Sequence, residues 1–296
     1  MTQPRVAILG LGIMGSGMAG RLLAAGFPLS VYNRNRDKAQ PLGDGGAHIA
    51  STPAEAASRA EIVISMLADD VASREIWLGE NGALQGVVAG TVLVESSTVS
   101  GLWIRELATA AAERKCDLLD APVTGSKAQA AGGELVFLIG GPERALETAR
   151  PVLNVLGNRI VHFGGSGNGS TMKLINNFMS GVQGAALAEA IAFIDASGLD
   201  REKALSILIN GAPGSPIVKT LSTRAAAGDF TPNFVLRLMA KDLSYAIKEG
   251  SDHHVDLRTA AAALAIFKQA IAAGYGEKDF SAVIEATANG AKKLAS

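Results

Sequence analysis

The sequence predicts an α/β N-terminal domain with a doubly wound parallel sheet, followed by an all-α C-terminal domain. Three observations carry this reading. Short apolar runs alternate with helical patterns through the first half, a glycine-rich turn joins the first run to the first helix, and almost everything beyond a breaker cluster at Gly164-Gly165-Ser166-Gly167-Asn168-Gly169 reads helical. The boundary is placed at Gly165, giving domains 1–165 and 166–296. A chain of 296 residues suits two domains of about 150 residues each.

The elements follow in order. Arg5–Leu9 reads as a strand, Met14–Ala25 as a helix and Pro28–Tyr32 as a second strand. A helical stretch near Asp37–Leu42 precedes strands at Glu61–Met66 and Thr91–Glu95, then a long helix at Gly101–Arg114. Leu118–Leu119 and Leu135–Ile139 are further strands. Their Val, Ile and Leu run without polar alternation, as expected for parallel strands covered on both faces. Thr171 to Ala196 is apolar almost all round and predicts a buried helix, between domains or subunits.

Composition narrows the function. Hydrophobic residues make up 48% and charged residues 19%, enough for packed cores. Lys plus Arg number 27 and Asp plus Glu 28, so no basic excess points to nucleic acid or a membrane surface. The single cysteine, Cys116, forms no internal disulfide and reads as a small hydrophobe. Val6-Ala7-Ile8-Leu9 is too short for a signal peptide, and the stretch Leu174 to Ile194 is interrupted by Asn, Gln and Glu. The expected location is the cytoplasm.

Gly10-Leu11-Gly12-Ile13-Met14-Gly15 fits G-x-G-x-x-G, between a predicted strand and a predicted helix. In that context the glycines permit a tight turn and bring backbone close to a pyrophosphate at the helix N-terminus, the arrangement of a Rossmann-type domain. The end of the second strand selects between the two nicotinamide dinucleotides. An NAD site has Asp or Glu there. This chain has Tyr32-Asn33-Arg34-Asn35-Arg36, with no carboxylate until Asp37. Asn33, Arg34 and Arg36 therefore favour NADP(H), whose 2′-phosphate a guanidinium binds through charge-assisted hydrogen bonds, with NAD(H) as the alternative. Met66 and Leu67, at the end of the strand Glu61–Met66, are assigned to the same cofactor.

In Gly169-Ser170-Thr171-Met172-Lys173-Leu174-Ile175-Asn176-Asn177, Lys173 lies four residues after Gly169 and four before Asn177, so the three share a helix face that Gly181 and Gly184 extend without bulk. Lysine is rarely buried unless paired, and asparagine is a poor helix former. Their presence among Leu174, Ile175, Phe178, Met179 and Val182 predicts a Lys–Asn site with glycines leaving room for a ligand. A partly buried lysine can exchange a proton near neutral pH.

The chain here resembles the β-hydroxyacid dehydrogenases, along its whole length and in four segments. These are Gly10–Gly15 with Met18-Ala19; Asp120-Ala121-Pro122-Val123-Thr124-Gly125-Ser126, continuing to Ala131-Gly132-Gly133; the set Gly169, Lys173, Asn176, Asn177; and Lys241-Asp242-Leu243, preceded by Phe234 and Leu238. The resemblance implies a Rossmann domain, a helical domain and an active site between them. It implies that Lys173 and Asn177 are catalytic, Lys173 exchanging the proton of the carbonyl or hydroxyl oxygen and Asn177 orienting substrate with Asn176. Thr124, Gly125 and Ser126 would bind a substrate carboxylate, Phe234 would line its pocket, and Asp242 would lie near Lys173. Thr98 would lie near the nicotinamide and Lys241 near the cofactor. Thr124-Gly125-Ser126 departs from the family's common Ser-Gly-Gly. With Asn33-Arg34 and Phe234, it is more similar to the glyoxylate/succinic semialdehyde reductase branch than to the 3-hydroxyisobutyrate branch.

The expected activity is reduction of a short aldehyde or keto acid with NADPH. A 3-hydroxyisobutyrate or other β-hydroxy acid dehydrogenase is the alternative. Imine reductases usually carry Asp or Tyr at the site lysine, and dinucleotide-binding modules without activity lose it, so Lys173 argues against both. A homodimer or homotetramer is expected. His253 and His254 are adjacent, about 100° apart on a helix, and no ligand cluster accompanies them, so no metal is expected. Asp69 and Asp70 read as a solvated loop. Asn233 and Phe234 read as sharing a helix with Leu238, Lys241 and Tyr245.

Overall fold

The computed structural model describes residues 3–295 and divides into two compact units, Met1–Lys173 and Leu174–Ser296. The first opens with β1 (Val6–Leu9), α1 (Ile13–Ala24), β2 (Leu29–Tyr32), a short 3-10 turn (Arg36–Ala39), α2 (Gln40–Asp44), β3 (His48–Ile49) and α3 (Pro53–Ser58). It continues with β4 (Ile62–Ser65), α4 (Asp70–Leu78), β5 (Val92–Glu95), α5 (Gly101–Glu113) and β6 (Asp117–Asp120). These six strands form one all-parallel sheet in the order β3-β2-β1-β4-β5-β6, the Rossmann order.

The continuous apolar runs have a direct explanation. Val6 and Ile8, Ile62 and Ile64, and Val92 and Val94 pack into one core cluster, while Ala7 and Leu9, Val63 and Leu93 pack into another. Side chains alternate between the faces of a strand, and helices cover both faces here, so every position is apolar. Helix starts are set locally. The side chains of Thr52, Asp69 and Ser100 accept from Glu55, Ala72 and Trp103 backbone N–H at the starts of α3, α4 and α5.

A smaller sheet, unforeseen from the sequence, follows: β7 (Val123–Thr124), α6 (Lys127–Gly132), β8 (Leu135–Ile139), α7 (Glu143–Leu156) and β9 (Gly157–His162). Here β7 pairs antiparallel with β8, and β8 parallel with β9, so the expectation of parallel pairing throughout holds only for the large sheet. Two-residue strands such as β3 and β7 have no apolar run to betray them.

The remainder is helical: α8 (Asn168–Ala196), α9 (Arg201–Asn210), α10 (Pro216–Ala226), α11 (Leu236–Asp252), α12 (Arg258–Ala270) and α13 (Val283–Ala295). In the second unit, Leu187, Ile191, Leu221, Leu236, Met239, Leu243, Phe267 and Phe280 form the core. The apolar helix α8 is not buried all round: Ile175, Met179 and Phe193 are 49%, 51% and 75% exposed. Among the described residues no helix is long and apolar enough to cross a membrane.

Two local expectations are corrected. Asp69 and Asp70 are structural rather than solvated. Asp69 caps α4, and Asp70 accepts from the Ser100 N–H at 2.9 Å and its hydroxyl at 2.6 Å. Asn233 and Phe234 precede α11 rather than joining it, because both their N–H groups are drawn to the buried Asp279 carboxylate at 3.0 Å.

Candidate active site

The three glycines of the first turn do different work. Gly10 has φ +98°, and a Cβ there would lie 2.5 Å from the Met66 carbonyl oxygen. A Cβ on Gly15 would lie 1.9 Å from the Gly10 oxygen, so α1 can approach the strand end only with glycine at that position. At Gly12 a Cβ would meet nothing within 4 Å. The α1 N-terminus has no side-chain cap and no acidic residue in its first turn. Uncapped N–H groups and the positive end of a helix dipole beside open space fit a pyrophosphate.

The turn is braced from β2. Asn33 Oδ1 accepts from the Leu11 N–H at 2.9 Å, and its Nδ2 donates to the Asn35 carbonyl at 2.8 Å. Asn33 thus holds the glycine turn, a task sequence reasoning did not assign to it. Arg34 and Arg36 are exposed just beyond. Met66 and Leu67 follow β4 and are half-buried, and Leu67 donates its N–H to the Ser97 hydroxyl at 2.7 Å. Thr98 is half-buried in the segment after β5.

Thr124 lies on β7 opposite Val136. Gly125 has φ +124°, with Leu135 and Gln129 side chains at 3.0 and 3.1 Å from a Cβ position. Both donors of Ser126 differ from expectation: its N–H and its hydroxyl go to Gln129 Oε1 at 2.9 and 2.6 Å. Gln129, three residues on at the start of α6, is the reciprocal partner of a capping arrangement, so the Ser126 hydroxyl is committed to the helix.

Lys173 is half-buried near the start of α8. That start is anchored by Asp120, the last residue of β6, whose Oδ1 and Oδ2 accept from Gly167 and Ser170 N–H at 2.8 and 2.9 Å. Gly169 allows the close approach, because a Cβ there would lie 2.4 Å from the Leu138 oxygen and 2.6 Å from the Asp120 oxygen. Burial pushes the Asp120 carboxyl up to about 6, against the opposing effect of those backbone hydrogen bonds.

In the second unit a polar chain crosses otherwise apolar packing. Asn176 Nδ2 donates to Asn177 Oδ1 at 3.0 Å, and Asn177 Nδ2 donates to Asp242 Oδ2 at 2.6 Å. The ammonium of Lys241 pairs with Asp242 Oδ1 at 2.9 Å. Asn177 is 5% exposed and Asp242 1%. Gly181 and Gly184 leave no room for a ligand, contrary to expectation. A Cβ on Gly181 would meet Leu243 and Met239 at 2.9 and 3.0 Å, and one on Gly184 would meet Phe280 at 3.2 Å. They let helices pack closely. Phe234 is half-buried and meets Phe280 edge-on, with ring centroids 5.7 Å apart.

Comparison with known proteins gives the family. Residues 5–165 match the family model described as the NAD binding domain of 6-phosphogluconate dehydrogenase. Residues 167–287 match the model for NAD-binding of NADP-dependent 3-hydroxyisobutyrate dehydrogenase. The chain is 36% identical over 284 residues to glyoxylate/succinic semialdehyde reductase 1 of Arabidopsis thaliana, covering 95% of this chain and 97% of that one. It is 35% identical over 281 residues to 3-sulfolactaldehyde reductase of Escherichia coli (strain K12), covering 95% and 94%. A solved structure of Mycobacterium tuberculosis 3-hydroxyisobutyrate dehydrogenase with L-serine aligns with a TM-score of 0.87 at 30% identity, covering 96% of this chain and 99% of that one.

The chain belongs to the β-hydroxyacid dehydrogenase family. As a β-hydroxyacid dehydrogenase it is an NAD(P)-dependent oxidoreductase with a nicotinamide dinucleotide cofactor. The glycine turn and the bare α1 N-terminus are the parts of the structure that fit this cofactor.

Two buried carboxylates of this dehydrogenase, Asp120 and Glu95, were given no role by the sequence reading. They end adjacent strands and stand opposite each other in the β5–β6 register. The available signal was an acidic residue closing an apolar run, as in Val92-Leu93-Val94-Glu95 and Leu118-Leu119-Asp120. Such a residue is buried among strand ends and must find donors there. His48 meets Glu55 and His162 meets the Gly141 carbonyl, both at 2.8 Å, and Cys116 is buried, with burial raising its thiol pKa.

Proposed function

We propose that the chain reduces a short aldehyde or keto acid, such as succinic semialdehyde or glyoxylate, to the hydroxy acid, with NADP(H) preferred. The observation that carries the reading is the polar chain Asn176–Asn177–Asp242–Lys241 on α8 and α11, with Lys173 one helical turn before Asn177. Buried amides and charges in a helical core are costly, and a catalytic task explains their retention. Names among the relatives support the substrate class: one acts as a glyoxylate/succinic semialdehyde reductase and another as a 3-sulfolactaldehyde reductase.

When bound, the cofactor supplies the hydride that reduces the carbonyl carbon. The residues of this chain do the rest. Gly10, Leu11, Gly12, Ile13, Met14 and Gly15 would hold the pyrophosphate, Arg34 and Arg36 the 2′-phosphate, and Met66, Leu67 and Thr98 the nicotinamide side. Lys173 Nζ gives a proton to the carbonyl oxygen and stabilises the charge developing there. Asn177, fixed by Asp242, orients the substrate. Thr124 and Gly125 take the substrate carboxylate, since the Ser126 donors are committed to Gln129, and Phe234 bounds the pocket. Lys241, paired with Asp242, is assigned to the cofactor. The exposed apolar side chains of α8 support a homodimer or homotetramer.

The test follows NADPH oxidation at 340 nm with succinic semialdehyde, glyoxylate, tartronate semialdehyde and methylmalonate semialdehyde, in the wild type and in Lys173→Ala. Turnover on at least one substrate, falling by a factor of about 100 to 10,000 in the variant with NADPH binding retained, is expected. No turnover across the panel, or full turnover in Lys173→Ala, overturns the reading.

A further inference from the structure

One buried network in the first unit has no part in the chemistry above. Glu95, 0% exposed at the end of β5, accepts from three donors. Oε2 accepts from the Ser73 hydroxyl and from Trp77 Nε1 at 2.9 Å. Oε1 accepts from the Ser97 N–H at 2.8 Å. Behind it, Trp103 Nε1 donates to the Ser73 hydroxyl at 2.7 Å. Ahead of it, the Ser97 hydroxyl accepts the Leu67 N–H at 2.7 Å. Ser73, Trp77, Ser97 and Trp103 are each no more than 1% exposed.

Among the described residues no cation pairs with the Glu95 carboxylate itself, the nearest to the network being the Arg74 guanidinium 4.4 Å over the Trp103 ring. A buried carboxylate without a paired cation is expensive unless its lone pairs are satisfied. Apolar residues of equal volume would hold the same fold at lower cost. What they would not do is tie together two segments that follow neighbouring strands. The inner end of the network stands on α4 and α5, which carry Ser73, Trp77 and Trp103. Its outer end is a pair of loop amides, Ser97 after β5 and Leu67 after β4. The residue before Leu67 then bears on the glycine turn, since the Met66 carbonyl fills the space a Gly10 side chain would need. A single carboxylate thus sets the mutual position of three segments at the carboxyl ends of the strands, where ligands of open α/β sheets bind.

We propose that Glu95 is a positioning residue for the nicotinamide end of the cofactor, holding Leu67 and the Ser96–Thr98 segment in register. This rests on the reading that Leu67 and Thr98 face that end. Glu95 touches no reacting atom, so its loss misplaces the ring rather than removing a chemical group.

The experiment is calorimetric titration with two probes: NADP+ and the same molecule lacking nicotinamide, 2′-phospho-ADP-ribose. NAD+ and ADP-ribose replace them if the wild type binds NAD+ more tightly. Glu95→Gln leaves a donor facing one of its former donors, and Ser97→Ala cuts the Leu67 arm with Glu95 intact. Both are expected to weaken NADP+ and lower kcat about tenfold while the fragment binds as in the wild type. Trp103→Phe, at the inner end, is expected to lower the melting temperature and leave both affinities unchanged. Equal weakening of both probes, or no weakening of either, overturns the proposal. Ser97→Ala decides it alone if Glu95→Gln does not fold. A wild type that binds neither dinucleotide removes instead the cofactor reading beneath it.

Discussion

The two units hold their buried carboxylates differently: the second adds a cation to each of Asp242 and Asp279, the first to neither Glu95 nor Asp120. In the first, Glu95 is met by hydroxyl, indole and backbone donors, and Asp120 by the N–H groups of Gly167 and Ser170. All of these are neutral. In the second, Asp242, inside α11, is met by the Lys241 ammonium at 2.9 Å, while Asp279, outside any helix, combines the Arg224 guanidinium at 3.3 Å with the N–H groups of Asn233, Phe234 and Ser281. The contrast follows from secondary structure. The chain leaving a parallel strand, and the first turn of the helix that follows, have N–H groups with no partner of their own. The interior of a helix has already spent its N–H groups on carbonyls one turn back, so a carboxylate there must find a side chain. The first unit can therefore keep its cations at the surface, and Arg34 and Arg36 are exposed beside the glycine turn.

The sharpest break of this contrast is Asp279→Ala. It strips Arg224, 15% exposed by side chain, of its buried partner and releases the Asn233, Phe234 and Ser281 amides. A stability loss of about 3–5 kcal/mol in urea denaturation is expected. A loss near zero would mean that the guanidinium contributes nothing.

Asp120 gives the counterpart in pH. Its folded pKa is raised from 3.8 to about 6, so the folded chain keeps a proton that the unfolded chain has released. Below pH 4 both states are protonated and the group is neutral in effect. As pH climbs from 4 to 6, stability falls by about 3 kcal/mol, and above 6 the penalty is constant. Denaturation of the wild type and Asp120→Asn across pH 4–7 should show this fall in the wild type alone. Parallel curves would refute it.

The exposed arginines are the next test. If they are kept for a ligand anion, Arg34→Ala weakens NADPH binding about tenfold and leaves NADH binding unchanged, as loss of one charge-assisted contact predicts. Fluorescence titration with each nucleotide distinguishes this from equal loss of both. The smallest effect belongs to the surface. Arg74 and Glu106 pair bidentately on α4 and α5, with side chains 47% and 45% exposed. Breaking the pair with Glu106→Gln is expected to lower the melting temperature only slightly, and less in 1 M salt, by thermal denaturation in the two buffers.

Much of this was legible in the amino-acid order, for identifiable reasons. Strands covered on both faces announce themselves as unbroken runs, so β1, β4 and β5 were placed to within a residue or two. The glycine turn was legible because Gly10 and Gly15 answer to steric demands that no other residue meets. Short edges were not: His48-Ile49 and Val123-Thr124 are strands only because a neighbour offers a ladder. Gly181 and Gly184 misled, since an absent side chain marks close helix packing as readily as an open pocket. Asn33 and Ser126 were read by donor type as facing ligands, whereas Leu11 and Gln129 occupy them.

The placement of the indoles has a consequence for watching this chain unfold. Its only two tryptophans, Trp77 and Trp103, both lie in the first unit, on α4 and α5. The second unit contributes long helices and no indole. Intrinsic emission excited at the indole band therefore reports the sheet unit alone, while far-ultraviolet ellipticity is weighted toward the helical one. One sample carries two separate clocks: superimposed transitions mean the units melt as one cooperative body, and separated transitions give the stability of each without cutting the chain.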